Sequence, residues 1–82
     1  MEFWSFSKMF VDYDDDFKDA YSMYYKTEEE AIQAFNDNMQ SYLDDYELEE
    51  NEYEFHKEKE LYKFELEMSF CYVRLMLEKI YL

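Results

Sequence analysis

The sequence predicts an all-α fold, a compact bundle of about three helices in a single domain that covers residues 1–82. Three observations favour it. The chain contains no Gly and no Pro, whereas hairpin turns depend on Gly at positive φ. Apolar residues recur at steps of three and four over long stretches, which is the spacing of one helix face. The hydrophobic fraction is 49% and the aromatic fraction is 23%, enough for a core despite the high charge.

The first helix is predicted in the first 25 residues from a stripe of aromatic side chains. The stripe consists of Phe6, Phe10, Tyr13, Phe17, Tyr21 and Tyr24. On such a helix the carboxylates of Asp12, Asp16 and Asp19 share one solvated side.

The second helix is predicted over roughly 28–45. Thr27 followed by Glu30 is a capping-box pattern, in which the hydroxyl accepts the N–H three residues on and the Glu carboxylate reaches back. Three Glu in the first turn suit the positive end of the helix dipole. The apolar face consists of Ile32, Phe35, Met39, Tyr42 and Tyr46. The acidic stretch 44–54 is predicted as a connection.

The third helix is predicted in 61–82, where two periods compete. The steps of three and four are made by Leu66, Phe70, Val73, Leu77 and Ile80. Between Tyr62 and Tyr72, however, every second residue is apolar, which is typical of a strand. The helix is preferred because the pattern exceeds a dozen residues and no turn residue separates partner strands. The alternative is an α+β domain with a strand near 61–73.

The charge of the chain is strongly sorted. The sequence has 22 Asp and Glu against 8 Lys and Arg, a formal charge of −14. Residues 1–56 hold 17 of the acids and three Lys, whereas residues 57–82 hold five acids and five bases. Direct nucleic-acid binding is not expected, because Lys and Arg neutralise phosphates in such contacts. No signal peptide and no membrane segment are expected. A lone Cys fits a reducing compartment.

One acidic motif resembles the start of a calcium loop. Residues 12–16 have the D-x-D-x-D spacing of an EF-hand, but Phe17 stands where the loop needs Gly and Met23 where it needs Glu. A solvated acidic face is therefore predicted instead of a metal site.

No catalytic or cofactor-binding residue is predicted. His56 is the only imidazole, and we expect it to form a surface ion pair with Glu52 or Glu60, four residues away on a helix. Cys71 lies in apolar sequence and is expected to be buried and inert. Without Gly there is no phosphate-binding loop. The sequence therefore predicts neither an enzyme nor a metal or cofactor site.

The arrangement of carboxylates carries the functional hypothesis. On the second helix, Glu30, Asp37 and Asp44 recur every seven residues, about 10.5 Å apart. Such rows approach the roughly 7 Å repeat of phosphates along a DNA strand. The candidate partner-binding residues are Asp12, Asp14, Asp15, Asp16, Asp19, Glu28, Glu29, Asp37, Asp44, Asp45, Glu47, Glu49, Glu50, Glu52 and Glu54. Four interleaved tyrosines are expected to stack like bases or to anchor the contact. They are Tyr13, Tyr42, Tyr46 and Tyr53.

In length, acidity and charge layout the chain is similar to small proteins that bacteriophages and mobile elements use against host defence. These are the nucleic-acid mimics among anti-CRISPR, anti-restriction and uracil-DNA glycosylase inhibitor proteins. The resemblance implies a non-catalytic inhibitor without cofactor, located in the host cytoplasm. Its partner would be a host nuclease or polymerase with a basic nucleic-acid groove.

An alternative places the interaction in the C-terminal segment. In this interpretation the acidity only keeps the protein soluble, and 61–82 binds a partner protein or forms a homodimer seam. Leu77 and Ile80 would then be the important side chains.

Overall fold

A computed structural model describes all 82 residues and shows that the predicted fold class is wrong. The chain forms one five-stranded antiparallel sheet with a single long helix, not an all-α bundle. The elements are β1 (Glu2–Asp12), β2 (Phe17–Tyr25), α1 (Glu28–Asp45), a short 3₁₀ helix (Glu50–Glu52), β3 (Glu54–Lys57), β4 (Leu61–Glu67) and β5 (Cys71–Tyr81). The sheet order is β2-β1-β5-β4-β3. The α+β alternative was therefore the better description.

The predicted first helix is a β-hairpin. Trp4 and Phe6 point to the same face of β1 and are 4% and 1% exposed, which is the alternation of a half-buried strand. The stripe misled because its steps of four residues fit both a helix and a strand. Its steps of three enter the turn at Tyr13 or change face at Tyr24. Consequently Asp12, Asp16 and Asp19 do not share a helix side: they lie at the end of β1, in the turn and on β2.

The hairpins form without Gly. In the β1–β2 turn, Oδ1 of Asp12 accepts the N–H of Asp14 at 3.0 Å. Asp16 takes the left-handed conformation at φ 52°, which Asp tolerates better than most residues. The two other turns use main-chain bonds: the N–H of Glu58 donates to the carbonyl of Leu61 at 2.7 Å, and the N–H of Met68 to that of Cys71 at 2.8 Å.

The predicted second helix is confirmed as α1, Glu28–Asp45. The N–H of Glu30 donates to Oγ1 of Thr27 at 3.3 Å, so Thr27 is the N-cap as predicted. Phe35 is fully buried, and its ring lies 6.3 Å from that of Phe6 and 5.8 Å from that of Tyr62. The apolar face of α1 thus packs on the centre of the sheet.

The predicted third helix is also wrong, since 61–82 forms β4 and β5. Both strands lie near the centre of the sheet, and each buries every second residue. Leu66, Val73 and Leu77 of the supposed helix stripe are 0–1% exposed within the core. The helix expected in 61–82 is therefore absent, and any partner contact of this segment would be made by strands. Cys71 is buried, as predicted.

The core lies on one side of the sheet only. It consists of Trp4, Phe6, Ala31, Phe35, Tyr62, Phe64, Leu66, Val73, Leu75 and Leu77. The alternate residues of β1, β4 and β5 face the side without the helix and are half-buried or exposed, as an antiparallel sheet permits.

Candidate functional site

The connections at one end of the sheet carry most of the negative charge. The β1–β2 turn, the end of α1 with its connection to β3, and the β4–β5 turn all meet there. We call residues 12–16, 44–54 and 67–70 the acidic end. These three segments contain four, seven and one carboxylates, twelve in all, and neither Lys nor Arg.

Aromatic and main-chain contacts join the three segments. The N–H of Tyr13 donates to the carbonyl of Phe70 at 2.9 Å, and its O–H donates to Oε1 of Glu67 at 3.3 Å. The ring of Tyr46, just beyond α1, meets that of Phe70 edge-on at 5.9 Å. Phe70 is thus the common neighbour that holds the turn and the connection together.

A hollow of about 260 Å³ opens between the start of β3 and the end of β4. Glu52 of the 3₁₀ helix and Glu54 of β3 line one side of this hollow, and Glu65 and Glu67 of β4 line the other. The O–H of Tyr72 donates to Oε2 of Glu65 at 2.7 Å. Four carboxylates around a concave surface favour a cationic group from a partner.

Hydrogen bonding fixes the protonation of the Glu65–Tyr72 pair near neutral pH. A hydrogen bond from Lys63 and another from Tyr72 lower the pKa of Glu65. Burial and the bond to Glu65 raise the pKa of Tyr72 to about 12. Glu65 is therefore ionised and Tyr72 neutral at pH 7, so that this pair presents a constant charge and does not exchange protons.

The opposite end of the sheet has a mixed charge. We call residues 1–3, 26–30, 57–61 and 78–82 the mixed end; it holds seven side-chain carboxylates and four Lys. Nζ of Lys79 lies 3.2 Å from Oε2 of Glu2, and Nε2 of His56 lies 2.7 Å from Oε1 of Glu58. A second Lys–Glu ion pair, Lys63 with Glu65, lies on β4. None of the twelve carboxylates of the acidic end has a cationic partner.

The structure brings together eleven of the fifteen candidate residues. The acidic end contains Asp12, Asp14, Asp15, Asp16, Asp44, Asp45, Glu47, Glu49, Glu50, Glu52 and Glu54. Asp19 lies on β2, Asp37 lies midway along α1, and Glu28 and Glu29 begin α1 at the mixed end. The expected partner of His56 was wrong, because His56 is in β3 and pairs with Glu58.

Sequence reasoning missed Glu65, Glu67 and Tyr72. They belong to the charge-balanced C-terminal third, and their position beside Glu52 and Glu54 depends on the pairing of β3 with β4 and of β4 with β5. The alternation of Glu65 and Glu67 with the buried Phe64 and Leu66 was the only available signal.

Two of the acidic side chains of the candidate set shape the backbone. Asp12 accepts two N–H groups of its own turn, and Glu52 accepts the N–H of Glu49 at 3.1 Å. On α1, a glutamine side chain binds one carboxylate of the predicted acidic row, since Nε2 of Gln40 donates to Oδ1 of Asp44 at 2.8 Å. Asp12, Asp44 and Glu52 are thus held in place by local bonds that leave their charge intact.

No group of three or more His, Cys, Asp or Glu side chains is arranged to hold a metal ion. Neither helix combines the length and the apolar character that a membrane span requires. Comparison of the chain with protein-family models, curated proteins and solved structures finds no match.

Proposed function

We propose that the protein is a non-catalytic inhibitor that imitates nucleic acid and binds the basic groove of a host nuclease or polymerase. One observation carries the proposal: the acidic end holds twelve negative charges, although the formal charge of the whole chain is only −14. The mixed end has seven carboxylates against four Lys. The middle of the molecule holds the remaining three carboxylates and four Lys or Arg.

The density of charge at this end suits the proposal. The molecule measures 41 × 26 × 16 Å, and its longest dimension matches the length of β1 and β5, so that the end is about 26 Å wide. Duplex DNA carries one charge per ~1.7 Å of its axis, and twelve charges therefore correspond to ~20 Å of duplex. The acidic end thus carries the charge of ~20 Å of duplex, a length close to its own width.

Absence of internal cations supports the same conclusion. Carboxylates paired within the molecule would have to lose a partner before they could meet Lys or Arg of a target. The acidic end has no such pairs, so its charge is available. Tyr13 is 48% exposed among these acids and is positioned to supply a stacking or anchoring contact.

Electrostatic attraction should make capture fast and sensitive to salt. The test is affinity capture from a host lysate in about 0.1 M and about 1 M NaCl, between which the Debye length falls from ~10 to ~3 Å. We expect a nucleic-acid enzyme that is released by high salt and displaced by added duplex DNA.

A captured protein that resists both salt and DNA would contradict the proposal. The same purified enzyme then allows a direct assay, in which inhibition must be overcome by excess nucleic-acid substrate. Inhibition that excess substrate leaves unchanged would place the contact outside the groove.

A further inference from the structure

The two edges of the sheet differ in how well they are protected. β3 is four residues long, and three of them are Glu54, His56 and Lys57, which is typical of an edge that avoids pairing. β2 is nine residues long and its only charged residues are Lys18 and Asp19. A long edge with unpaired main-chain groups is a template for another strand.

β2 also exposes large apolar side chains on both of its faces. Phe17, Tyr21 and Met23 are 53%, 41% and 48% exposed on the side of α1, and Tyr24 is 67% exposed on the other side. These side chains would gain neighbours if a further strand lay beside β2. We propose that β2 pairs antiparallel with β2 of a second copy, giving a dimer with a continuous ten-stranded sheet.

The register of this pairing follows from strand geometry. Along an edge strand, the N–H and C=O groups of successive residues point alternately toward the sheet and away from it. In an antiparallel pair, two opposed residues either both point these groups at each other or both point them away. The numbers of two opposed residues therefore add up to an even number. All nine residues of Phe17–Tyr25 are paired only when the two numbers add up to 42. Tyr21 then lies opposite Tyr21 of the second copy, on the two-fold axis.

Charge complementarity supports the same register. Residue 16 lies opposite residue 26 when the sum is 42, so that Asp16 faces Lys26 of the second copy at both ends of the interface. Within the strand, Lys18 faces Tyr24 and Asp19 faces Met23 of the second copy, and no like charges meet. A sum of 44 would oppose Lys18 to Lys26, and a sum of 38 would oppose Asp19 to itself.

The antiparallel arrangement also keeps the electrostatic repulsion between two chains of charge −14 low. Antiparallel pairing sets the acidic end of each copy beside the mixed end of the other, with the two acidic ends at opposite ends of the sheet. The nine paired residues separate them by ~30 Å, which is several Debye lengths at physiological salt.

Cysteine cross-linking tests the axis. Opposed residues on an antiparallel pair have Cα atoms ~4.5–5.5 Å apart, within reach of a disulfide. Tyr21→Cys should therefore give a disulfide-linked dimer on oxidation. Met23→Cys is a control of similar exposure whose own symmetry mate lies ~13 Å farther along the strand. The native Cys71 is buried. Equal cross-linking of both variants would overturn the proposal.

Charge exchange tests the register. By size-exclusion chromatography with light scattering, we expect twice the chain mass of 10.4 kDa for the native protein at micromolar concentration. Lys26→Glu or Asp16→Lys alone should weaken the dimer at least tenfold, and the double variant should restore it. Lys59→Glu and Glu54→Lys make the same charge changes elsewhere and should leave the dimer intact, with circular dichroism as the check on folding. A native monomer, or failure of the double variant to restore the dimer, would refute the pairing.

Discussion

The two ends of the sheet are built on the same strands but differ in how their charge is balanced. At the mixed end, side-chain ion pairs such as Lys79 with Glu2 neutralise charge. Main-chain bonds and aromatic contacts join the segments at both ends, but at the acidic end twelve carboxylates have no cation among them. Folding itself does not require this asymmetry, because either set of turns could carry balanced charge. The difference therefore supports the proposal that the acidic end binds a partner.

Reversal of charge at each end should give the largest contrast. The acidic-end variant carries Asp14→Lys, Asp15→Lys, Asp45→Lys and Glu50→Lys, side chains that accept no hydrogen bond in the structure. The mixed-end control carries Glu28→Lys, Glu29→Lys, Glu58→Lys and Glu78→Lys. We expect the first to lose target affinity by about a hundredfold or more, with little change in thermal unfolding.

The control should keep its affinity within a few-fold, although the two helix-terminal changes cost ~0.3–1 kcal/mol of stability each. Affinity and inhibition are measured against the captured enzyme. Equal losses in the two variants would mean that total charge matters and its location does not.

Removal of an aromatic contact from each end should have a smaller effect. Phe70→Ala deletes the ring that meets Tyr46 at the acidic end, and Phe3→Ala deletes the one that meets Tyr24 edge-on at 5.4 Å at the mixed end. Such pairs contribute ~0.5–1.5 kcal/mol, so both variants should unfold at similarly lowered temperatures. Only Phe70→Ala should weaken target binding, about three- to tenfold, because it loosens the acidic segments. The idea fails if Phe3→Ala weakens binding as much.

Neutralisation should change stability in opposite directions at the two ends. Asp14→Asn, Asp15→Asn and Glu50→Gln together remove repulsion that no cation offsets. We expect Tm to rise by about 2–4 °C at low salt and target affinity to fall. Glu2→Gln removes the partner of Lys79 and should lower Tm slightly. Differential scanning calorimetry at low and high salt measures both, and a fall of Tm for the acidic-end variant would contradict the charge assignment.

Dependence of stability on pH should show the smallest effect, at the hollow. The pKa of Glu65 is below its ordinary value of 4.5, so its stabilising bonds are present above that pH and are lost as the pH falls below it. The pKa of Tyr72 is raised from 10.0 to about 12, so its contribution is complete below pH 10 and is lost towards pH 12.

The difference in Tm between the native protein and Tyr72→Phe should thus be constant near neutral pH and shrink at both extremes. Tyr81→Phe is the control at the mixed end, where the phenol of Tyr81 donates to Glu60 but is 55% exposed. Its effect should be smaller. An unchanged difference across the whole pH range would show that the Tyr72 bond does not stabilise the fold.

About half of the architecture could not be predicted from the sequence, for a specific reason. α1 was predicted with its bounds, because Thr27, the first-turn Glu residues and the apolar face are local signals. β1 and β2 were missed because their aromatics recur at steps of four, which suits either structure. For 61–82 the alternation is present in the sequence, but the length of the apolar pattern and the lack of a turn residue favour a helix. Asp16, at φ 52°, shows that Asp can take that role here.

The closeness of the acids in 44–54 depended little on the fold. The density of acids in 44–54 is a property of composition, and no error in secondary structure could move those residues far apart. The position of Asp12–Asp16 beside them was not predictable, since it depends on the bond from Tyr13 to Phe70, which joins residues 57 positions apart. The position of Glu67 in the acidic end was not predictable for the same reason, because it depends on the pairing of β4 with β5.

The sequence by itself determined that acids are concentrated before residue 57, that Thr27 caps a helix, and that Cys71 is buried, since each depends on composition or on near neighbours. Only the tertiary structure decided that three separated acidic segments meet, because their meeting requires β5 to pair with both β1 and β4. It also decided which edge of the sheet is left open, since an edge exists only once every other strand has found its partner.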